Sequence, residues 1–282
     1  MIATLSRLDE LRARIGEWKR AGLRVGFVPT MGNLHAGHHS LVKLAREHAD
    51  RVVASVFVNP TQFGPSEDFS RYPRTPEADA AGLEASGCDA LWLPSVETMY
   101  PFGAANAVSM HVPGVTDTLE GAHRPGHFDG VATVVARLFN QAQPDVAVFG
   151  RKDYQQLAVV RYMVRDLAFP IELIAAPTLR EADGLAMSSR NQYLSAEERP
   201  VAATIHRTLL AMREGLRSGR SRDAVEQEAA SQLRDAGFAV DYAVVRTLEL
   251  GAPKDESAGP LVALIAAKLG RTRLIDNLEF EI

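Results

Sequence analysis

Two histidines three residues apart, in Pro29-Thr30-Met31-Gly32-Asn33-Leu34-His35-Ala36-Gly37-His38, form the densest chemical signal in this chain of 282 residues. The segment follows a short apolar run and leads into a helical pattern beginning near His38. Glycines let a backbone approach a ligand closely, and a helix N-terminus offers unpaired N–H groups that suit phosphate. The two imidazoles add donors whose charge is tunable near neutral pH. The same spacing also suits a metal pair or two structural histidines. No carboxylate or third ligand is obviously positioned for a metal, and Gly37 suits close approach better than coordination. His39 stands outside the motif and reads as a solvated helix residue.

A second constellation, Phe149-Gly150-Arg151-Lys152-Asp153-Tyr154-Gln155-Gln156, occupies the same topological position, a strand end running into a helix. Lys152 there could meet a phosphate, and Asp153 could cap the helix or accept ribose hydroxyls; a capped helix with a solvated charge cluster is the plain alternative. The third, Asp183-Gly184-Leu185-Ala186-Met187-Ser188-Ser189-Arg190-Asn191, joins two hydroxyls, a guanidinium and backbone donors in a glycine-containing loop. It reads as a polyphosphate clamp or as an ordinary loop leading to a helix-capping Ser195. Two more polar loops lie at strand or helix ends. One is Asn59-Pro60-Thr61-Gln62-Phe63-Gly64, continuing through Arg71-Tyr72-Pro73 as a candidate flap. The other is His123-Arg124-Pro125-Gly126-His127-Phe128-Asp129-Gly130. Amides at Asn59, Gln62 and Gln156 suit a small polar acid better than a large polymer.

The elements that must carry these loops alternate. Short β-rich runs lie at Leu23–Val28, Arg51–Val58, Leu91–Leu93, Asp145–Phe149 and Ile171–Ala176, each closed by proline, glycine or an Asn-Pro pair. They lack clean alternation, as strands buried on both faces of a parallel sheet do. An opening helix is expected from Leu5, Leu8, Leu11, Ile15 and Trp18, capped by Ser6 and ended by Gly22. Further helical patterns cover about 38–48, 76–86, 128–142 and 153–168. Such alternation predicts crossover units around a parallel sheet, with ligands at the carboxyl ends of the strands. After Pro177 come two helical stretches, about 196–216 and 222–236, then three strands, Val240–Arg246, Leu261–Ala266 and Arg273–Phe280. The expected class is α/β: a Rossmann-like parallel-sheet domain over 1–178 and a smaller α+β domain over 179–282.

Composition bounds the partners. Apolar residues make up 46% and charged residues 23%, which excludes a disordered chain. A formal charge of -4 gives no electrostatic case for nucleic acid or a membrane surface as the main partner. No apolar run approaches the ~20 residues of a spanning helix. Arg7, Asp9, Glu10, Arg12 and Arg14 arrive too early for a signal-peptide core, so a cytoplasmic address is expected. Cys88 is the only cysteine; it excludes an intrachain disulfide and a cysteine-based zinc site, and reads as a small buried hydrophobe.

Taken together, these motifs carry a resemblance. Pro29–His38 resembles the signature of the H-x-G-H nucleotidyltransferase superfamily. The added match of Val58-Asn59-Pro60-Thr61-Gln62-Phe63, Arg124-Pro125-Gly126-His127-Phe128, Gly150-x-Lys152-Asp153-Tyr154-Gln155-Gln156 and Asp183–Asn191, in that order, resembles the pantothenate synthetase (pantoate–β-alanine ligase) family. The resemblance implies a cytoplasmic homodimer that uses ATP with Mg²⁺ to convert pantoate to an enzyme-bound pantoyl adenylate, which β-alanine then attacks. By resemblance, His35, His38, Lys152, Ser188, Ser189 and Arg190 handle the ATP phosphates. Gly150 and Asp153 hold the ribose, and Met31, Phe149 and Leu179 also contact ATP, the latter two near the adenine. Gln62 and Gln156 grip pantoate, assisted by Asn59, Met31 and Phe63. No metal-binding residue is expected, and the smaller domain is expected to close over the ATP site. Where the family commonly has Glu, this chain has Arg151, a side chain expected to point to solvent.

Overall fold

In the computed structural model, residues 2–64, 69–253 and 259–282 are described. The chain divides into two compact units: Met1–Gly150 with Val159–Pro177, and Arg151–Ala158 with Thr178–Ile282.

The first unit is built on β1 (Ala3–Leu5), α1 (Leu8–Arg20), β2 (Val25–Thr30), α2 (Ala36–His48), β3 (Arg51–Val56), α3 (Pro76–Ala85) and β4 (Ala90–Trp92). Then follow single-turn helices α4 (Val96–Met99) and α5 (Glu120–His123), α6 (His127–Ala142), β5 (Val146–Gly150), α7 (Tyr154–Asp166), which enters this unit at Val159, and β6 (Glu172–Ala176). Among the described residues the six strands form one sheet in the order β1-β4-β3-β2-β5-β6, every neighbouring pair parallel. Phe27, Val28, Val52, Val53 and Ala54 are each fully buried, so both faces of the central strands are covered and alternation is lost. Strand order departs in opposite directions from β2 and β5, placing a topological switch point at their carboxyl ends.

Several boundaries depart from expectation. β2 runs through Pro29 to Thr30: it pairs with β5 only at Gly26 and Phe27, so the missing proline N–H costs that ladder nothing. Leu5 belongs to β1, which pairs with β4, and the α1 N-cap is Arg7 rather than Ser6, with the Glu10 carboxylate accepting the Arg7 N–H at 3.3 Å. Cys88 is buried as expected, its thiol donating to the carbonyls of Ala90 (3.2 Å) and Val52 (3.4 Å); burial pushes its pKa up to about 12.

In the second unit the stretch expected as one helix is two, α8 (Glu198–Ala202) and α9 (Thr204–Arg217), followed by α10 (Arg222–Asp235). Strands β7 (Phe238–Thr247), β8 (Pro260–Leu269) and β9 (Thr272–Glu281) form an antiparallel sheet in sequence order. Ile205, Leu209 and Met212 of α9 and Val225, Ala229 and Leu233 of α10 recur at helical spacing and share one core with Val245, Ala263 and Ile265. Among the described residues, no helix is long and apolar enough to cross a membrane.

Candidate active site

The loop leaving β2 reaches α2 through two left-handed residues, Gly32 (φ 86°) and Asn33 (φ 52°). Gly32 is required twice over: besides its φ, a Cβ there would lie 3.0 Å from Asp79 Oδ2 and from Val56 Cγ1. Asp79 of α3 is 2% exposed and holds the loop by its main chain. Its carboxylate accepts the N–H of Asn33 (3.1 Å) and of Leu34 (2.8 Å), and the Thr75 hydroxyl (3.1 Å). Nothing in the sequence singled out Asp79; its one signal is an acidic residue in the first turn of an otherwise alanine-rich helix.

His35 is the N-cap of α2. Its Nδ1 accepts the Gly37 N–H at 3.1 Å, while His38 Nδ1 accepts the His35 N–H at 3.3 Å, a reciprocal capping box made of imidazoles. The rings lie 4.1 Å apart between centroids. A nitrogen that accepts carries no proton, so both Nδ1 atoms are bare and Nε2 is the protonated position of each neutral ring. The pair therefore places two imidazoles with Nε2 as their N–H position at a helix N-terminus, where backbone N–H groups suit phosphate. His39 departs from its expected solvated role. It is partly buried against Gly82, where a Cβ would fall 2.5 Å from its Cε1, and burial lowers its pKa against the opposing pull of Asp79.

The loop after β3 forms a 3-10 turn over Pro60–Gln62 capped by Asn59, whose Oδ1 accepts the Thr61 N–H. Both amides are buried, Asn59 at 1% and Gln62 at 7% exposure. The Tyr100 hydroxyl donates to Asn59 Oδ1 at 2.6 Å; Asn59 Nδ2 donates to Gln62 Oε1 and to the Gly130 carbonyl, each at 3.1 Å; Gln62 Nε2 donates to Met31 Sδ at 3.0 Å. This relay fixes both amide orientations, so Gln62 presents its NH₂ toward Met31. Helix α6 closes on the turn because residue 130 is glycine: a Cβ there would sit 2.4 Å from the Thr61 carbonyl oxygen. His127 Nδ1 donates to the Gln62 carbonyl at 2.8 Å and its Nε2 accepts from Arg124 at 3.0 Å, so the ring is neutral with its proton on Nδ1. Phe63 packs edge-on against Phe69 (5.4 Å) and Tyr72 (5.9 Å). Part of the candidate flap, 65–68, lies outside the described residues.

Phe149 is 4% exposed and packs edge-on against Phe139 at 6.2 Å. Its main chain, and that of Gly150, is what the end of β5 can offer a ligand.

In the second unit, Arg151–Asp153 make a 3-10 turn into α7. Lys152 Nζ lies 3.5 Å from Asp153 Oδ1. Asn277 of β9 donates from Nδ2 to the carbonyls of Arg151 (2.8 Å) and Lys152 (2.9 Å). Arg151 pairs with Glu279 at 2.8 Å, which corrects the expectation that it points to solvent. The clamp loop is a short antiparallel turn: an Arg180↔Ala186 bridge, the Glu181 N–H donating to Leu185 (2.8 Å) and the Met187 N–H to Leu179 (2.9 Å). Asp183 pairs with Arg199, which holds its carboxyl below the usual carboxylate range. Ser188 Oγ accepts the Arg190 N–H at 3.2 Å and caps a 3-10 turn over Ser189–Tyr193. Ser195 Oγ accepts the Glu198 N–H at 3.2 Å, but the N-cap of α8 is Glu197 rather than the expected Ser195. Leu179 is exposed, and Gln156 lies in the first turn of α7.

The structure thus joins Met31, Asn59 and Gln62 in one contact chain, pairs His35 with His38, and pairs Lys152 with Asp153. Among the described residues, no group of three or more His, Cys, Asp or Glu is arranged to hold a metal ion.

A family model described as pantoate-beta-alanine ligase matches residues 3–279. A pantothenate synthetase of Stenotrophomonas maltophilia is 69% identical over 99% of this chain and 100% of its own, as is one of Xanthomonas axonopodis pv. citri. The crystal structure of pantothenate synthetase from Thermus thermophilus matches at a TM-score of 0.91 and 51% identity, over 98% of this chain and 99% of its own. A pantoate-beta-alanine ligase from Francisella tularensis, complexed with beta-gamma ATP and beta-alanine, matches at a TM-score of 0.81 and 31% identity, over 99% and 97%.

Proposed function

The chain belongs to the pantoate–β-alanine ligase family, and from that premise we propose how its residues divide the ATP-dependent ligation of pantoate to β-alanine. His35 and His38, through Nε2, join Lys152, Ser188, Ser189 and Arg190 on the phosphates of ATP. Gly150 and Asp153 hold the ribose; Phe149, through its main chain, Leu179 and Met31 border the nucleotide. Gln62 and Gln156 grip pantoate beside Asn59, Met31 and Phe63.

The pantoate carboxylate attacks the α-phosphorus in line, and the bond to pyrophosphate breaks. Negative charge then builds on the transferred phosphoryl and on the leaving group, which fixed N–H donors and cations stabilise without a covalent enzyme intermediate. One lost donor of this kind typically costs about 2.7–4 kcal/mol in the transition state. The amine of β-alanine next attacks the acyl carbon and AMP leaves. Mg²⁺ bound with the nucleotide would supply neutralisation of phosphate charge, beside the cationic and N–H groups of Lys152, Arg190, His35 and His38. The family resemblance extends the reading to a homodimer in the cytoplasm.

The observation that supports the reading is the reciprocal imidazole cap at the N-terminus of α2, which commits both Nδ1 atoms as acceptors and leaves Nε2 as the N–H position of each neutral ring. The test is turnover with ATP, Mg²⁺, pantoate and β-alanine, following AMP and pyrophosphate. Both products should form only when both acids are present. ADP, or a product that retains the nucleotide, overturns the reading.

A further inference from the structure

Two loops of the second unit meet the same pair of residues in β9. Asn277 is 5% exposed, and its Nδ2 donates to two successive carbonyls, those of Arg151 and Lys152. An amide nitrogen has two hydrogens, so both are committed to this turn. The Asn277 N–H donates to Asp276 Oδ1 at 2.8 Å. Asp276, 4% exposed, receives the fork of Arg180 at 2.6 and 3.1 Å. Arg180 also donates to the carbonyl of Gly184, inside the clamp loop, at 3.1 Å, and to that of Asn277 at 3.3 Å. An unbroken run of donors and acceptors therefore links the root of Lys152 to the loop that carries Ser188 and Ser189.

The geometry points to Asn277 as a positioning residue for Lys152, with the Asp276–Arg180 pair giving the clamp loop the same reference strand. A lysine side chain is a flexible four-carbon stem ending in a point charge, so what the fold can fix is where the stem begins. Fixing the carbonyls on both sides of the Lys152 Cα does that. Asparagine is the residue type the task selects: two donors on one planar group, facing two acceptors. Aspartate, of equal volume, would set carboxylate oxygens against the same carbonyls.

This inference rests on the assignment of Lys152 to the ATP phosphates, and the experiment separates the two. Pantoate-dependent pyrophosphate release is measured for Lys152→Ala, Asn277→Asp, Asn277→Ser and the Lys152→Ala/Asn277→Asp double variant, each confirmed folded by circular dichroism. A misplacement of about 1 Å costs about hundredfold in rate, the loss expected for Asn277→Asp. Asn277→Ser, which keeps one donor, should fall between it and the parent, and remains informative if the aspartate variant does not fold. In the double variant the loss should match Lys152→Ala alone, because a residue that acts through Lys152 has nothing left to position. Losses that multiply mark a separate structural role and overturn the inference. So do near-parental rates in folded Asn277 variants when Lys152→Ala is inactive. Near-parental release by Lys152→Ala overturns the Lys152 assignment itself, and this inference with it.

Discussion

Asp79→Asn is the sharpest perturbation of the histidine loop, because it preserves volume and removes only charge and acceptor capacity. The native carboxylate serves three donors: Asn33 N–H on one oxygen, Leu34 N–H and the Thr75 hydroxyl on the other. An amide has one acceptor oxygen. Turned to keep Leu34 and Thr75, it aims its NH₂ at the Asn33 N–H, donor against donor; turned the other way, it sets the NH₂ against the Leu34 N–H, while the Thr75 hydroxyl can rotate to accept. Either way at least one charge-assisted hydrogen bond is lost, at about 1.5–3 kcal/mol. At about 2–4 °C per kcal/mol for a unit of this size, the transition of the first unit should fall by roughly 3–12 °C in differential scanning calorimetry. The loop that loosens carries His35, so pantoate-dependent pyrophosphate release should slow as well, by as much as about hundredfold for about 1 Å of misplacement. A variant that melts within about 1 °C of the parent and adenylates at the parental rate would refute the idea that this loop needs its carboxylate.

One buried hydroxyl and two partly buried imidazoles give two further expectations. Tyr100→Phe removes the hydroxyl that fixes Asn59, and through it the Gln62 amide. It should raise KM for pantoate several-fold, like a milder Gln62→Ala, with KM for ATP little changed; an effect confined to ATP contradicts the relay. The second concerns acid stability. Burial lowers the pKa of His39 in one unit and of His206 in the other below their ordinary value of 6.5. Above that value both rings are neutral folded or unfolded. Below it the unfolded chain binds protons that the folded chain does not, so stability falls as pH falls. Melting temperature should therefore drop between about pH 7.5 and 5.5, and drop less in His39→Gln; an unchanged slope in that variant would remove His39 from the account.

How much of this was written in the sequence depends on whether an effect is local. The strands at Arg51 and Asp145 and the helices at 76–86 and 128–142 were legible because apolar content, proline and glycine act within a few residues. β1 was not, since three residues at the chain start gain their identity only from pairing with β4, and Leu5 also fits the helical spacing of α1. The break between α8 and α9 falls at Ala203, and its local signal is Pro200, three residues earlier inside α8. At the site, the histidine, Asn-Pro and serine loops declared themselves by residue type. Asp79, Tyr100 and Asn277 did not, because each acts on main chain or amides that the sequence places 41 to 126 positions away. Arg151 belongs with them: its partner, Glu279, is 128 residues distant.

The division of the chain into units has a consequence for modularity. The path passes from the first unit to the second after Gly150, back after Ala158, and across again after Pro177. The eight residues from Arg151 to Ala158 are thus encoded inside one unit and assigned to the other, where Asn277 holds their first two carbonyls. No single cut separates two self-sufficient pieces. A gene fragment ending at 177 would make Lys152 without the strand that anchors it, and one starting at 178 would make that strand with nothing to anchor. Recombination between homologues is constrained in the same way: a crossover between 158 and 276 must bring together a turn and a β9 that have diverged compatibly, so the middle and the 3′ part of the coding sequence are inherited as one functional allele.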